Sequence, residues 1–162
     1  MATKLTKKQA AELLAAYQKQ QTDAAQASIA AYNKTVDADT AATEAAVKAE
    51  RKTAQATADA AIDRAAVQAL IEKRAIAETL SNLGLSHSGI ADSANESVAR
   101  KRAVSERAAL AKKQHSLSAL SQRLVTAREQ AAAKKAKNAA TVNKTLGGKI
   151  AEKKLTLDKA AL

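Results

Sequence analysis

The chain has 162 residues, no cysteine, proline, tryptophan or phenylalanine, and a formal net charge of +11 at pH 7. Most of its 46% hydrophobic content is alanine, and at roughly 25 cal/mol per Å² of buried apolar surface each alanine adds little to a core. Disulfides and thiolate metal sites are excluded, a thick globular core is not expected, and the composition points to an all-α fold. The expected architecture is a long helical hairpin or extended helical bundle, oligomeric, held by helix propensity and thin seams.

Residues 1–83 read as one long helical arm. Lys4, Lys7 and Lys8 are not followed by the apolar run of a secretory leader, and no window reaches the ~18 consecutive apolar residues of a membrane span, so a soluble protein is expected. Thr6 and Gln9 have the spacing of a capping box. From there to Leu83 the chain lacks Gly and Pro and is rich in Ala, Gln, Glu, Lys and Arg, all strong helix formers. The weakest stretch is 33–40, where Thr35, Val36, Asp37, Asp39 and Thr40 combine low propensity with side chains that compete for backbone hydrogen bonds; one long helix or two joined smoothly are both open, and any break or kink is expected there. Ile29, Val36, Val47, Ala58 and Ala69 fall at spacings of seven or eleven. An eleven-residue period, about 3.67 residues per turn, predicts a nearly straight or slightly right-handed seam.

Residues 84–92 form a hinge. Gly84 suits the left-handed position that closes a helix, with Leu85 packing back on Leu80, and Ser88 and Gly89 continue the turn. Asp92, or Ser93 with Glu96, is expected to cap a second helix from about Ser93. Residues 93–145 form a basic helical arm. There Leu110, Leu117, Leu124 and Ala131 recur every seven, with Leu120 and Ala127 between them, the spacing of a left-handed seam; an ordinary amphipathic face would also give it over so few repeats. Gly147-Gly148 is expected to end this arm, leaving 146–162 as a short C-terminal helix or frayed tail.

Charge divides the arms. Residues 1–83 hold eleven Lys/Arg against ten Asp/Glu, and residues 84–162 hold sixteen against six. A polyanion or acidic partner is therefore expected to meet the second half. Candidate phosphate or partner contacts are Arg100, Lys101, Arg102, Arg107, Lys112, Lys113, Lys134, Lys135 and Lys137; without aromatic stacking platforms or a recognition-helix motif, any DNA contact is expected to be non-specific. Catalysis needs convergent polar groups in a partly dry pocket, and no glycine-rich phosphate loop, HExxH or nucleophile elbow is present. His87 reads as a solvated turn residue, His115 lies in a polar stretch, and Asp59 with Asp63 reads as a surface ion network beside Arg64. No enzyme activity, cofactor, metal or small-molecule substrate is expected.

The run from Ala77 to Gly89, followed by a polar basic helix, resembles a "helix, Gly-Leu, polar, Ser-Gly, helix" hinge in small Ala-rich helical virion proteins of tailed bacteriophages, the internal ejection proteins and portal- or neck-associated proteins. Gly84, Leu85, Ser88 and Gly89 carry the match. The resemblance implies a protein made in the host cytoplasm and carried in many copies in the capsid interior or at the portal and neck. Its implied partners are itself, portal or other virion proteins, and double-stranded DNA. The chain departs from ejection proteins in having no extended membrane-active segment. The alternatives in other classes are a histone-like DNA-binding protein and a helical adaptor.

Overall fold

A computed structural model describes residues 5–161. Two helices account for nearly all of them, α1 (Lys7–Asn82) and α2 (Gly89–Ala160), with no strand among the described residues. The fold is an all-α helical hairpin. Its start follows the expected chemistry: the Gln9 N–H donates to Thr6 Oγ1 at 3.2 Å while Gln9 Oε1 accepts from the Thr6 N–H at 3.0 Å, a reciprocal capping box.

Of the two readings of the first arm the continuous helix holds, because α1 runs through 33–40 and no break occurs there. The threonine hydroxyls compete locally but do so inside the helix, donating one turn back from Thr35 to the Ala31 carbonyl and from Thr40 to that of Val36. Val36 is buried, and that packing outweighs the low propensity of its neighbours. The same holds at Gly147-Gly148, which lie inside α2 rather than ending it. Leu146 and Ile150, half-buried on either side, carry the packing past the two glycines, so 146–162 is no separate helix or tail.

The turn closes as a Schellman motif. Gly84 has φ of 68°, the Leu85 N–H reaches the Leu80 carbonyl at 2.8 Å and the Gly84 N–H that of Ser81 at 3.1 Å. The second helix then starts at Gly89, earlier than the capping residues near Ser93 suggested, so the hinge is 83–88 rather than 84–92. Ser88 precedes the first helical residue, and its hydroxyl donates back to the Leu85 carbonyl at 2.7 Å. Asp92 lies in the first turn of α2, where its charge suits the helix dipole.

The hairpin comprises two compact units. In the first, residues up to Thr43 and from Val125 on, segments of α1 and α2 bury Ala10, Val36 and Leu157. Lys135 pairs with Asp37, and the Lys153 ammonium lies 5.6 Å from the centre of the Tyr17 ring. In the second, Glu44–Leu124, the seam buries Val47, Ala58, Ala69, Leu80, Ala91, Val98 and Ala109. Half of the buried residues in the two units are alanines.

Burial on α1 follows the eleven-residue period. Val36, Val47, Ala58, Ala69 and Leu80 are buried at successive elevens, and Ile29 is half-buried. The second helix keeps the same period: Val98 and Ala109 are buried and Leu120, Ala131 and Val142 half-buried at further steps of eleven. The heptad expected for α2 holds from Leu117 to Ala131, with Ala127 and Ala131 also half-buried, and fails at Leu110. Leu117, Leu120 and Leu124 are half-buried, but Leu110 is 50% exposed and Ala109 occupies the seam. A seven-residue repeat drifts about 20° per repeat on a straight helix, so it tracks the seam only briefly.

Candidate interaction surface

The inter-arm ion pairs of the second unit are built on this period. Arg123 Nη1 lies 2.9 Å from Glu50 Oε1, Lys113 Nζ 4.0 Å from Asp59 Oδ1 and Lys101 Nζ 3.5 Å from Glu72 Oε2. Arg51 Nη2 also donates to Ser121 Oγ at 2.9 Å. Positions rise on α1 as they fall on α2, which is antiparallel packing without slip. In the first unit Lys135 meets Asp37 in the same sense. In all four pairs α1 supplies the acid and α2 the base. Spacing repeats too: Glu50 and Glu72 are twenty-two residues apart, as are Lys101 and Arg123, and so are Asp37 from Asp59 and Lys113 from Lys135. On α2, Lys101, Lys112, Arg123 and Lys134 form a run of bases at steps of eleven.

This pairing engages much of the basic set expected to meet a polyanion. Lys101, Lys113 and Lys135 neutralise acids of α1. Arg100 bonds Glu96 and Arg102 bonds Glu106, each one turn away and at 2.6 Å. Arg107, Lys112, Lys134 and Lys137 are exposed and have no acidic partner among the described residues. Lys112 is unpaired because Ala61 takes the place on α1 midway between Glu50 and Glu72. The missing signal in the sequence was register: which lysines face acids becomes visible only when both arms are aligned.

The expected solvated residues lie where that reading put them. His87 and His115 are exposed. Asp59 turns to Lys113 instead of forming a pair with Arg64, whose Nε donates to the Ala60 carbonyl at 3.0 Å. No group of three or more His, Asp or Glu gathers in metal-binding geometry among the described residues, and no described helix is long and apolar enough to cross a membrane.

Sequence reading missed several large aliphatic side chains that the second unit leaves in solvent. Val67, Leu70, Ile71, Leu83, Ile90 and Val104 are all more than half exposed, and all belong to the second unit. Val67, Leu70 and Ile71 bracket the buried Ala69, so they fall off the seam on an arm otherwise dressed with Ala, Gln and charge. That departure from the alanine background was the available signal. In the same unit an open groove is floored by Ala54, Ala58, Ala61 and Ala109, with Arg64 and Lys112 at its rim. Such a surface offers contact area for another helix and charge at its margin. No family model, curated protein or solved structure matches the chain.

Proposed function

We propose that this chain is a structural packing protein of a multi-copy assembly, acting through helix-to-helix contact rather than chemistry. One observation carries the reading: a seam whose buried residues are half alanine stands beside large aliphatic side chains left in solvent. A helical hairpin gains stability chiefly by burying apolar faces, and large aliphatic side chains left in solvent are available to bury against another helix. The setting implied by the phage resemblance is the virion, in the capsid interior or at the portal and neck, against portal or other virion proteins. Sedimentation velocity over a wide concentration range tests the core of this reading. The mass is expected to rise with concentration, and the double substitution Leu70→Lys with Ile71→Lys, at positions already in solvent, is expected to abolish the rise while helicity by circular dichroism is kept. A chain that stays monomeric throughout overturns it.

A second reading, non-specific contact with double-stranded DNA, is favoured by the bases that the hairpin leaves unpaired, Arg107 and Lys112 in one unit and Lys134 and Lys137 in the other. Phosphate neutralisation by such side chains needs no recognition motif and is strongly salt-dependent.

A further inference from the structure

We propose that two copies of this chain exchange arms: the hinge opens into continuous helix, and α1 of each copy packs on α2 of the other. The proposal rests on the packing role above and gives it a partner and a mode.

The first observation is the phase of the seam across the turn. Leu80 and Ala91 are both buried, and they are eleven residues apart, the step that separates Val36, Val47, Ala58, Ala69 and Leu80. Val98 follows seven residues after Ala91, the interval from buried Val36 to half-buried Thr43. A hairpin sets no such requirement, since a turn lets each arm take its own phase. If 83–88 were helical, Leu80, Gly84, His87, Ala91 and Val98 would lie on one continuous stripe of the same eleven-residue period.

The second observation is how little holds the turn. Its closure consists of the two Schellman bonds and two bonds from Ser88, whose N–H and hydroxyl both donate to the Leu85 carbonyl, at 3.1 and 2.7 Å; Leu83, Leu85, Ser86 and His87 are exposed. No proline bars helix there, and among the described residues only Gly84 has positive φ. Space is free around it, for a Cβ added at Gly84 would meet nothing within 4 Å.

The third is that every inter-arm contact of the second unit survives exchange. Glu50 can meet Arg123, Asp59 can meet Lys113 and Glu72 can meet Lys101 of a second copy as well as of its own chain, because an antiparallel pair is indifferent to which chain supplies each arm. Opening the turn therefore forfeits only its few bonds and returns a continuous helix in their place.

Because the chain has no cysteine, introduced thiols report the exchange without background. Ala54 and Ala119 line the same groove of the hairpin on opposite arms. Full chains carrying Ala54→Cys and size-tagged full chains carrying Ala119→Cys are mixed, incubated at high concentration and treated with a short bis-maleimide; a chain with both substitutions gives the intramolecular reference. The expected result is a cross-link between the two singly substituted chains. Gly84→Ala should raise the association constant about a hundredfold, about tenfold for each of two hinges, since alanine is disfavoured at positive φ and favoured in helix. Ser86→Pro, at a residue whose N–H makes no hydrogen bond in the turn, should abolish the mixed product because proline interrupts a continuous helix. Cross-links confined to the doubly substituted chain, in the Gly84→Ala background as in the parent, would overturn the proposal. If such chains still sediment as oligomers, arm exchange fails and side-by-side packing stands; if they are monomeric, both fail.

Discussion

Val47 is the most enclosed side chain described, 2% exposed, in a seam where most of its buried neighbours are no larger than itself. Val47→Ala removes two carbons from that site and should cost about 1.5–2.5 kcal/mol, transfer and residual cavity together. Leu110→Ala removes more carbon but at a half-exposed position, and a change within about 0.5 kcal/mol is expected. Urea titration followed by circular dichroism compares the two; equal losses would mean that Leu110 is part of the seam. The contrast also shows what the sequence could reveal. Val36 and Val47 stood out as branched residues at a fixed interval in an alanine background, and Gly84 announced itself because few other residues accept left-handed backbone at a helix end. Ala109 could not be distinguished from its many exposed alanine neighbours, so the brighter Leu110 was taken in its place.

At the scale of the helix, propensity yields to packing. Residues 33–40 and Gly147-Gly148 look like ends by local criteria, yet each is spanned by seam residues one turn apart, Val36 with Thr40 in one case and Leu146 with Ile150 in the other. The two glycines remain a weakness, because each leaves more backbone freedom to the unfolded chain than alanine would. Nothing lies within 4 Å of a Cβ built at either position. Gly147→Ala and Gly148→Ala should each therefore add about 0.5–1 kcal/mol, read as a higher denaturation midpoint and slower amide exchange around Leu146 and Ile150. No gain from either would indicate that this part of α2 is not helical in solution. The turn between the helices was legible because its closure is local, six residues with a stereochemical signature; the start of α2 was misplaced because Asp92 and Ser93 offered caps that the helix, already formed from Gly89, did not need.

For the whole chain, net charge is a poor guide to what is offered to a partner. The second half carries the surplus, but acids of the first half engage Lys101, Lys113, Arg123 and Lys135 across the hairpin, and that division of labour was invisible until the arms were aligned. If DNA is bound through the remaining bases, each phosphate neutralised adds about −0.9 to the slope of log affinity against log salt. Replacing Lys134 and Lys137 with alanine should then flatten the slope by about 2 in a fluorescence titration with a duplex of mixed sequence, whereas Lys101→Ala should act mainly on stability. An unchanged slope would remove these lysines from any DNA contact. The run of bases at Lys101, Lys112, Arg123 and Lys134 has a further effect, on stagger. Sliding α2 by one eleven-residue step would leave the apolar stripes aligned, with Glu50 opposite Lys134 and Glu72 opposite Lys112, while Asp59, passing from Lys113 to Leu124, and Asp37, passing from Lys135 to Leu146, would lose their charge partners. The seam thus works as a vernier with more than one stop, and within a single chain it is the short tether at 83–88 that selects among them.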